Sequence, residues 1–308
     1  MKNVSICIPS YNSEKYINQT IDSVLCQLYK NYEIIIVDDK SSDNTREIIS
    51  NYAIENKSIK FYTNDSNLGI VGNFNKCLSL CKGKYIKYLL ADDLFLTPDC
   101  LGRFVDALES HPNVSLVSSG RQLIDSQSNV IGEAVSYAEG VYSPGKEIIK
   151  DCLLYFKNKI GEPTSVIFRR DALKRGFKDN YRQVLDLEMW FHLLENGDLY
   201  YIKDKLVGFR IHEEQTTQKN KNGLVYFSDV PLLLNDYCHK PYIRFGRLIK
   251  TLILIKFGEK AFKLYKNGRI NFYDMKRIIN HDFSFFTFIM LRPFYKFVKN
   301  ILRLKFLR

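Results

Sequence analysis

Residues 33–39 read EIIIVDD, and residues 84–93 read KYIKYLLADD. In each, a short apolar run ends at paired aspartates: Glu33–Val37 before Asp38-Asp39, and Tyr85–Leu90 before Asp92-Asp93. Short apolar runs without polar alternation suit strands buried on both faces. Val4–Ile8, Ile59–Tyr62 and Val114–Ser118 follow the same pattern. Between them, apolar residues return at helical spacing, as in Ile17, Ile21, Val24, Leu25 and Leu28. Ser42-x-x-Thr45 leads into a helix through Ile48 and Ile49, and Gly72–Cys81 reads as helical. Thr97-Pro98 supplies an N-cap and a first-turn proline for a helix to about Ser110. Alternating strands and helices predict an α/β fold, with a mostly parallel central sheet covered by helices on both faces. Ligands of such sheets sit beyond the carboxyl ends of the strands. The paired acids fall there.

Further along, the pattern is less regular. Residues 120–160 read as hairpin and loop, Ser165–Phe168 as a strand, and Leu187–Asn196 as a helix stopped by Asn196-Gly197. Leu199–Lys203 and Leu206–Ile211 read as a final strand pair, followed by a polar, mobile stretch at 213–223.

The chain has 308 residues, 45% hydrophobic and 26% charged. That composition excludes a wholly disordered, collagen-like or disulfide-stapled chain. The length suits two regions, 1–220 and a helical, basic 221–308. The net charge of +11 is unevenly spread. Residues 240–308 hold 17 Lys and Arg against 3 Asp and Glu, whereas residues 1–239 hold 28 against 31. Seven cysteines without CxxC spacing suggest reduced thiols and a cytoplasmic chain. No signal peptide or membrane span is read.

Four constellations carry candidate chemistry. Pro9-Ser10-Tyr11-Asn12 follows the first strand, and Asp38-Asp39-x-Ser41-x-Asp43 the second. A tyrosine there can stack on a nucleobase, and a carboxylate can accept from a base or ribose; helix capping is the bland alternative. Ala91-Asp92-Asp93 offers oxygen ligands suited to Mn²⁺ or Mg²⁺, again with capping as the alternative. Asp186-x-Glu188-x-Trp190 opens a helix. Its acids suit the helix dipole, or a general base beside an acceptor. Arg210-x-His212, followed by Gln215 and Thr216, suits diphosphate or metal contacts.

Their joint order, with Asn67-Leu68-Gly69 and GEPTSVIFRR at 161–170, resembles the family-2 glycosyltransferases of the GT-A fold over roughly residues 3–217. The resemblance implies that Pro9, Tyr11, Asn12, Asp38, Asp39, Asn67, Gly69 and Asp92 bind the nucleotide. Asp92 and Asp93 match the Asp-x-Asp element, whose first position is here Leu90. Asp93 is then the favoured metal ligand, with His212 beside the diphosphate. Asp186 matches the catalytic base, with Glu188 as rival. Glu162, Trp190 and Arg210 face the acceptor or diphosphate. The activity implied is inverting transfer of a sugar from a nucleotide sugar, UDP-linked by preference, to a lipid-linked or surface glycan. A non-catalytic nucleotide-sugar-binding subunit is the alternative, motivated by Leu90. A two-carboxylate glycoside hydrolase explains Asp186 and Glu188 but leaves the paired acids idle.

In the tail, Arg292, Lys296, Lys299 and Arg303 share one helical face, with Phe294, Phe297, Val298 and Ile301 opposite. Such a helix suits an anionic membrane surface, placing the protein peripherally on the inner face of the cell membrane. A basic subdomain packed on the body is the alternative. No nucleic-acid module is recognised, and the sequence does not fix an oligomeric state.

Overall fold

The computed structural model describes residues 3–138, 140–215, 224–280 and 284–301, with side chains for all of these except 247, 248 and 298–301. It divides into two compact units: residues 1–149 with 158–219, and residues 150–157 with 220–308. A single cut at 220 misses residues 150–157, the end of one helix and the turn after it, which belong with the C-terminal unit.

The first unit is built on one sheet. Its strands are β1 (Val4–Ser10), β2 (Tyr32–Asp38), β3 (Ile59–Thr63), β4 (Tyr85–Tyr88), β5 (Leu94–Phe95), β6 (Val114–Ile124), β7 (Val130–Ala134), β8 (Val141–Ser143), β9 (Val166–Arg169) and β10 (Asp198–Arg210). The order is β3-β2-β1-β4-β9-β6-β10-β5, with β7 on β6 and β8 on β10. β1, β2, β3 and β4 pair in parallel, as do β6 and β10, while β9 runs antiparallel between β4 and β6. The helices are α1 (Ile17–Leu25), α2 (Thr45–Glu55), α3 (Gly69–Leu80), α4 (Cys100–Ser110), α5 (Gly145–Tyr155) and α6 (Leu185–Leu194). The expected α/β architecture is present.

Burial explains the strands. Every residue of β2 and β4 is buried, so neither alternates. Ile6, Ile8, Ile34 and Ile36 join Ile21 and Val24 of α1 and Phe104 and Leu108 of α4 in one core. All seven cysteines are free thiols.

Two expectations change. The stretch predicted as hairpin and loop at 120–160 has its hairpin, β6 with β7, but also contains α5, and the predicted strand pair at 199–211 is one strand, β10, with register shifts between Ile202 and Val207. Lys203, Asp204 and Lys205 are exposed there. Their polarity makes one irregular strand look like two in sequence. Opposite them, a side chain on Gly120 would lie 2.6 Å from the Lys203 carbonyl, so the approach needs glycine.

The second unit is helical: the last part of α5, then α7 (Tyr226–Cys238), α8 (Arg247–Lys266), α9 (Phe272–Asn280) and α10 (Phe285–Ile301). Among the described residues no helix is long and apolar enough to cross a membrane. The expectations for Thr216, Arg303 and the stretch 216–223, and for the side chains of Val298, Lys299 and Ile301, lie outside what is described.

Candidate active site

Parallel pairing sets Ser10 of β1 beside Asp38 of β2, so the loops after both strands leave the same sheet edge. Pro9 lies within β1 opposite Val37 and is half-buried. The two loops are tied together by Asn12. Its backbone, at φ 48°, donates to Ser41 Oγ at 2.9 Å, while its Oδ1 accepts from the Ser42 amide at 2.9 Å. Asn12 is committed to this tie, and Tyr11 beside it stays 52% exposed.

The adjacent aspartates divide their work. Asp38 is fully buried, and its carboxylate accepts from the Ser41 amide and the Ser41 hydroxyl. It shapes the turn, which departs from its expected nucleotide contact. Asp39 donates its amide to Ser10 O at 2.8 Å. Its Oδ1 accepts from the Leu68 amide at 2.8 Å and Asn64 Nδ2 at 2.9 Å, leaving Oδ2 without a protein partner among the described residues. Asn67 donates to Asp39 O at 3.2 Å and accepts from the Gly69 amide at 3.0 Å. Gly69 opens α3 at φ +71°, a conformation glycine adopts at little cost. Asn67 and Gly69 therefore hold the wall beside Asp39.

The metal expectation for Asp93 needs correction. Asp93 is 1% exposed, with Oδ1 accepting from the Arg210 amide at 2.8 Å and Oδ2 from Thr164 Oγ1 at 2.5 Å. Burial, together with the Asp92 charge, pushes its carboxyl well above the usual range. The neighbouring Asp92 is half-buried, and its Oδ2 lies 2.9 Å from His212 Nε2. His212 in turn packs against the Tyr16 ring at 5.0 Å.

Arg210 is also corrected. It is fully buried, and its guanidinium donates to Asp92 O at 2.7 Å, Asp125 O at 2.9 Å, Ser128 Oγ at 3.0 Å and Gln19 Oε1 at 2.7 Å. It also covers the Tyr16 ring at 4.6 Å. With its donors so engaged, it fixes the Asp92 segment instead of contacting a diphosphate directly.

Asp186 and Glu188 both start α6, yet two residues rotate a helix by roughly 200°. Glu188 is fully buried and paired with Arg175 at 2.5 Å and Lys178 at 3.3 Å. That removes it as rival base. Asp186 is half-buried, and its carboxyl is pushed up to about 7 by burial and by the Glu162 charge, with Arg121 opposing. Arg121 holds Glu162 through a 3.0 Å hydrogen bond. Trp190 is fully buried and donates Nε1–H to Gly161 O at 3.0 Å. It anchors the loop before Glu162, so an acceptor contact by its side chain is not available.

That loop joins the two halves of the site. After Glu162, the 3₁₀ turn Pro163–Ser165 presents Thr164 to Asp93, and Thr164 Oγ1 accepts from the Leu90 amide at 3.2 Å. Under it lies Lys87, fully buried in β4, donating to Thr164 O and to Val166 O at 3.3 Å. Thr164, Arg121, Gln19 and Lys87 escaped sequence reading. Thr164 and Lys87 sit in quoted motifs, Lys87 as a lone cation within an apolar run; Arg121 and Gln19 are lone polar residues within a strand and a helix.

For a divalent cation, Asp92 and His212 offer a carboxylate oxygen and an imidazole nitrogen; the carboxylate suits Mn²⁺ or Mg²⁺, and the added nitrogen favours Mn²⁺ over Mg²⁺. Among the described residues no three His, Cys, Asp or Glu side chains form a metal-holding group.

Residues 5–177 match the family described as Glycosyl transferase family 2. An uncharacterized glycosyltransferase of Rickettsia typhi is 28% identical, over 96% of this chain and 91% of its own. The Escherichia coli protein WfgD, a UDP-Glc:alpha-D-GlcNAc-diphosphoundecaprenol beta-1,3-glucosyltransferase, is 28% identical over 86% of this chain and 98% of its own. Among solved structures, Staphylococcus aureus TarS 1–349 with UDP-GlcNAc superposes with a TM-score of 0.67 at 18% identity, covering 90% of this chain and 79% of that one. The Pyrobaculum calidifontis mannosyltransferase PcManGT, with GDP-Man and Mn²⁺, gives 0.63 at 15% identity, over 96% and 80%. At those identities the structures report a shared fold.

Proposed function

The chain belongs to glycosyl transferase family 2 and is a glycosyltransferase, and on that premise we propose an inverting transfer of a sugar from a nucleotide sugar to a hydroxyl of a lipid-linked or surface glycan. A UDP-linked donor is favoured, and the setting is bacterial polysaccharide assembly. The family match over residues 5–177 carries this reading, together with Asp186, half-buried at the start of α6, its carboxyl pushed up to about 7 by burial and by the Glu162 charge. A base poised near neutrality suits proton removal from a sugar hydroxyl.

Tyr11, at 52% exposure, stacks on the base, and Asp39 Oδ2 accepts from the base edge or ribose. Asp92 and His212, 2.9 Å apart, would hold a divalent cation. The cation, when bound, supplies Lewis-acid neutralisation of the departing diphosphate. Asp186 takes the proton of the acceptor hydroxyl. The acceptor oxygen then bonds to the anomeric carbon from the face opposite the leaving group, the carbon–diphosphate bond breaks, and the configuration inverts. Arg121 holds Glu162 beside the base and limits how far that carboxylate raises it. The protein acts peripherally, on the cytoplasmic face of the membrane, where its basic C-terminal region meets anionic lipid.

Isothermal titration of nucleoside diphosphates, with and without Mn²⁺, tests this on the wild type and Asp92→Ala. Metal-dependent binding of one nucleotide, weakened in the variant, is the expected result. A wild type that binds none of them under either condition overturns the donor site.

A further inference from the structure

Helix α10 turns an apolar ridge outward. Phe286 is 73% exposed, Met290 63% and Phe297 61%, with Ile289 and Phe294 also exposed. At 3.6 residues per turn, 286, 290 and 297 stack along one line, and 289 and 294 flank it. Phe288 and Tyr295, half a turn away, are buried. Phe288 lies on Gly258 of α8, where an added Cβ would come within 2.7 Å of its ring. Arg292 covers the Phe262 ring at 3.8 Å and pairs with Glu259. The helix is thus docked by its far side, and its apolar side faces away. Phe272, edge-on to Phe285 at 5.7 Å and half exposed, extends the apolar surface.

This differs from a helix led by its cations. Arg292 is held by Glu259 and its own aromatic neighbour. Of the exposed cations in the unit, Lys263, Lys266 and Lys276 lie outside α10, and Lys296 borders the ridge on the side of Ile289. We infer that the Phe286–Met290–Phe297 ridge of α10 inserts into the headgroup–acyl boundary of an anionic bilayer, lying in its plane, while the surrounding lysines and arginines meet lipid phosphates. This rests on the reading of the protein as peripheral on the membrane.

Three observations favour lipid over other occupants. Residues 285–301 contain no Asp or Glu, so nothing acidic enters the interface with the ridge. Residues 240–308 carry a net +14, so facing this surface with a second copy would oppose two strongly cationic regions. The helix has 17 residues, or roughly 26 Å, with Arg292 near its middle. That is too short and too polar at its centre to span a bilayer, but it suits an interfacial helix.

The test is co-sedimentation of the full chain with phosphatidylglycerol–phosphatidylcholine vesicles and with phosphatidylcholine alone. The double variant Phe286→Ser/Phe297→Ser is run alongside, and Phe286→Trp serves as a fluorescence reporter. Wild type should bind the anionic vesicles. The double variant should lose about 30-fold in partitioning, and the emission of the indole introduced by Phe286→Trp should shift to the blue on binding. Failure of the wild type to bind anionic vesicles, or equal binding by the double variant, overturns the inference. So does a wild-type dimer that the double variant converts to monomer. An unchanged far-ultraviolet circular dichroism spectrum and denaturation midpoint in the double variant show that its fold survives. Vesicle binding without nucleotide binding sinks the donor site and leaves the ridge standing, and the converse sinks only the ridge.

Discussion

His212 Nε2 lies 2.9 Å from Asp92 Oδ2, joining the end of β10 to the loop after β4 across 120 positions of sequence. Either residue alone is ordinary. Together they present an oxygen and a nitrogen donor at the strand ends. Asp92→Ala and His212→Ala should each weaken Mn²⁺-dependent nucleotide binding about 10-fold or more, near 1.4 kcal/mol. The double variant should lose little beyond either single one, because partners in one site are not additive. Titration calorimetry decides it, and fully additive losses would separate the two residues.

Asp186 sets a pH dependence. Its carboxyl sits near 7 because burial and Glu162 disfavour the charged form. The base must be ionised to act, so turnover should rise with pH through about 7. Glu162→Gln removes the like charge and should move that rise to lower pH. Asp186→Asn should cut kcat by about 10²–10⁴-fold while leaving donor affinity intact. A kcat profile that ignores both substitutions would take Asp186 out of the base role.

Arg210 is a buried hub whose planar fork reaches four acceptors. A lysine has three donors on a single nitrogen and cannot span them. Arg210→Lys should lower stability by about 2–4 kcal/mol. It should also weaken metal-dependent nucleotide binding, because Asp92 loses its backbone anchor. Denaturant midpoints and calorimetry read the two effects; loss of binding at unchanged stability would argue for direct contact with substrate.

Lys87 contributes with a definite sign. Burial pulls its ammonium down to about 7, with Asp93 opposing. Above that pH the unfolded chain binds the proton that the folded chain has released. Stability from this group therefore rises between about 7 and its unfolded value near 10.4. Lys87→Met should remove that rise, so wild type gains on the variant as pH increases over this window. Denaturation at a series of pH values measures it, and a constant difference would mean that Lys87 titrates normally.

Much of the fold was legible because its strands are buried on both faces. The runs at 4–8, 33–37 and 85–90 have no competing polar period, and the parallel sheet follows from their alternation with helices. The span 198–210 was legible only in pieces. An exposed Lys-Asp-Lys segment interrupts its apolar pattern, and only the pairing with β6 shows that the strand continues. The hairpin of β6 and β7 is legible at 120–134, whereas α5 lies in the part of that stretch whose sequence reads as loop.

The site divides along a similar line. Sequence by itself determined which residue types gather at the strand ends, because Asp38-Asp39 and Asp92-Asp93 follow apolar runs wherever the chain folds. It also determined the family, through the order of those motifs. Tertiary structure decided the division of labour within each pair. Adjacent residues at a strand end leave in different directions, so Asp38 turns into a serine-capped bend and Asp93 into a buried clasp on Thr164 and β10. Asp39, itself buried, keeps Oδ2 without a protein partner among the described residues, and Asp92 turns Oδ2 toward His212. The same holds on α6, where about 200° of rotation separates Asp186 from the buried, ion-paired Glu188. Spacing along the chain carries residue identity; burial, hydrogen bonding and direction depend on packing against segments a hundred residues away.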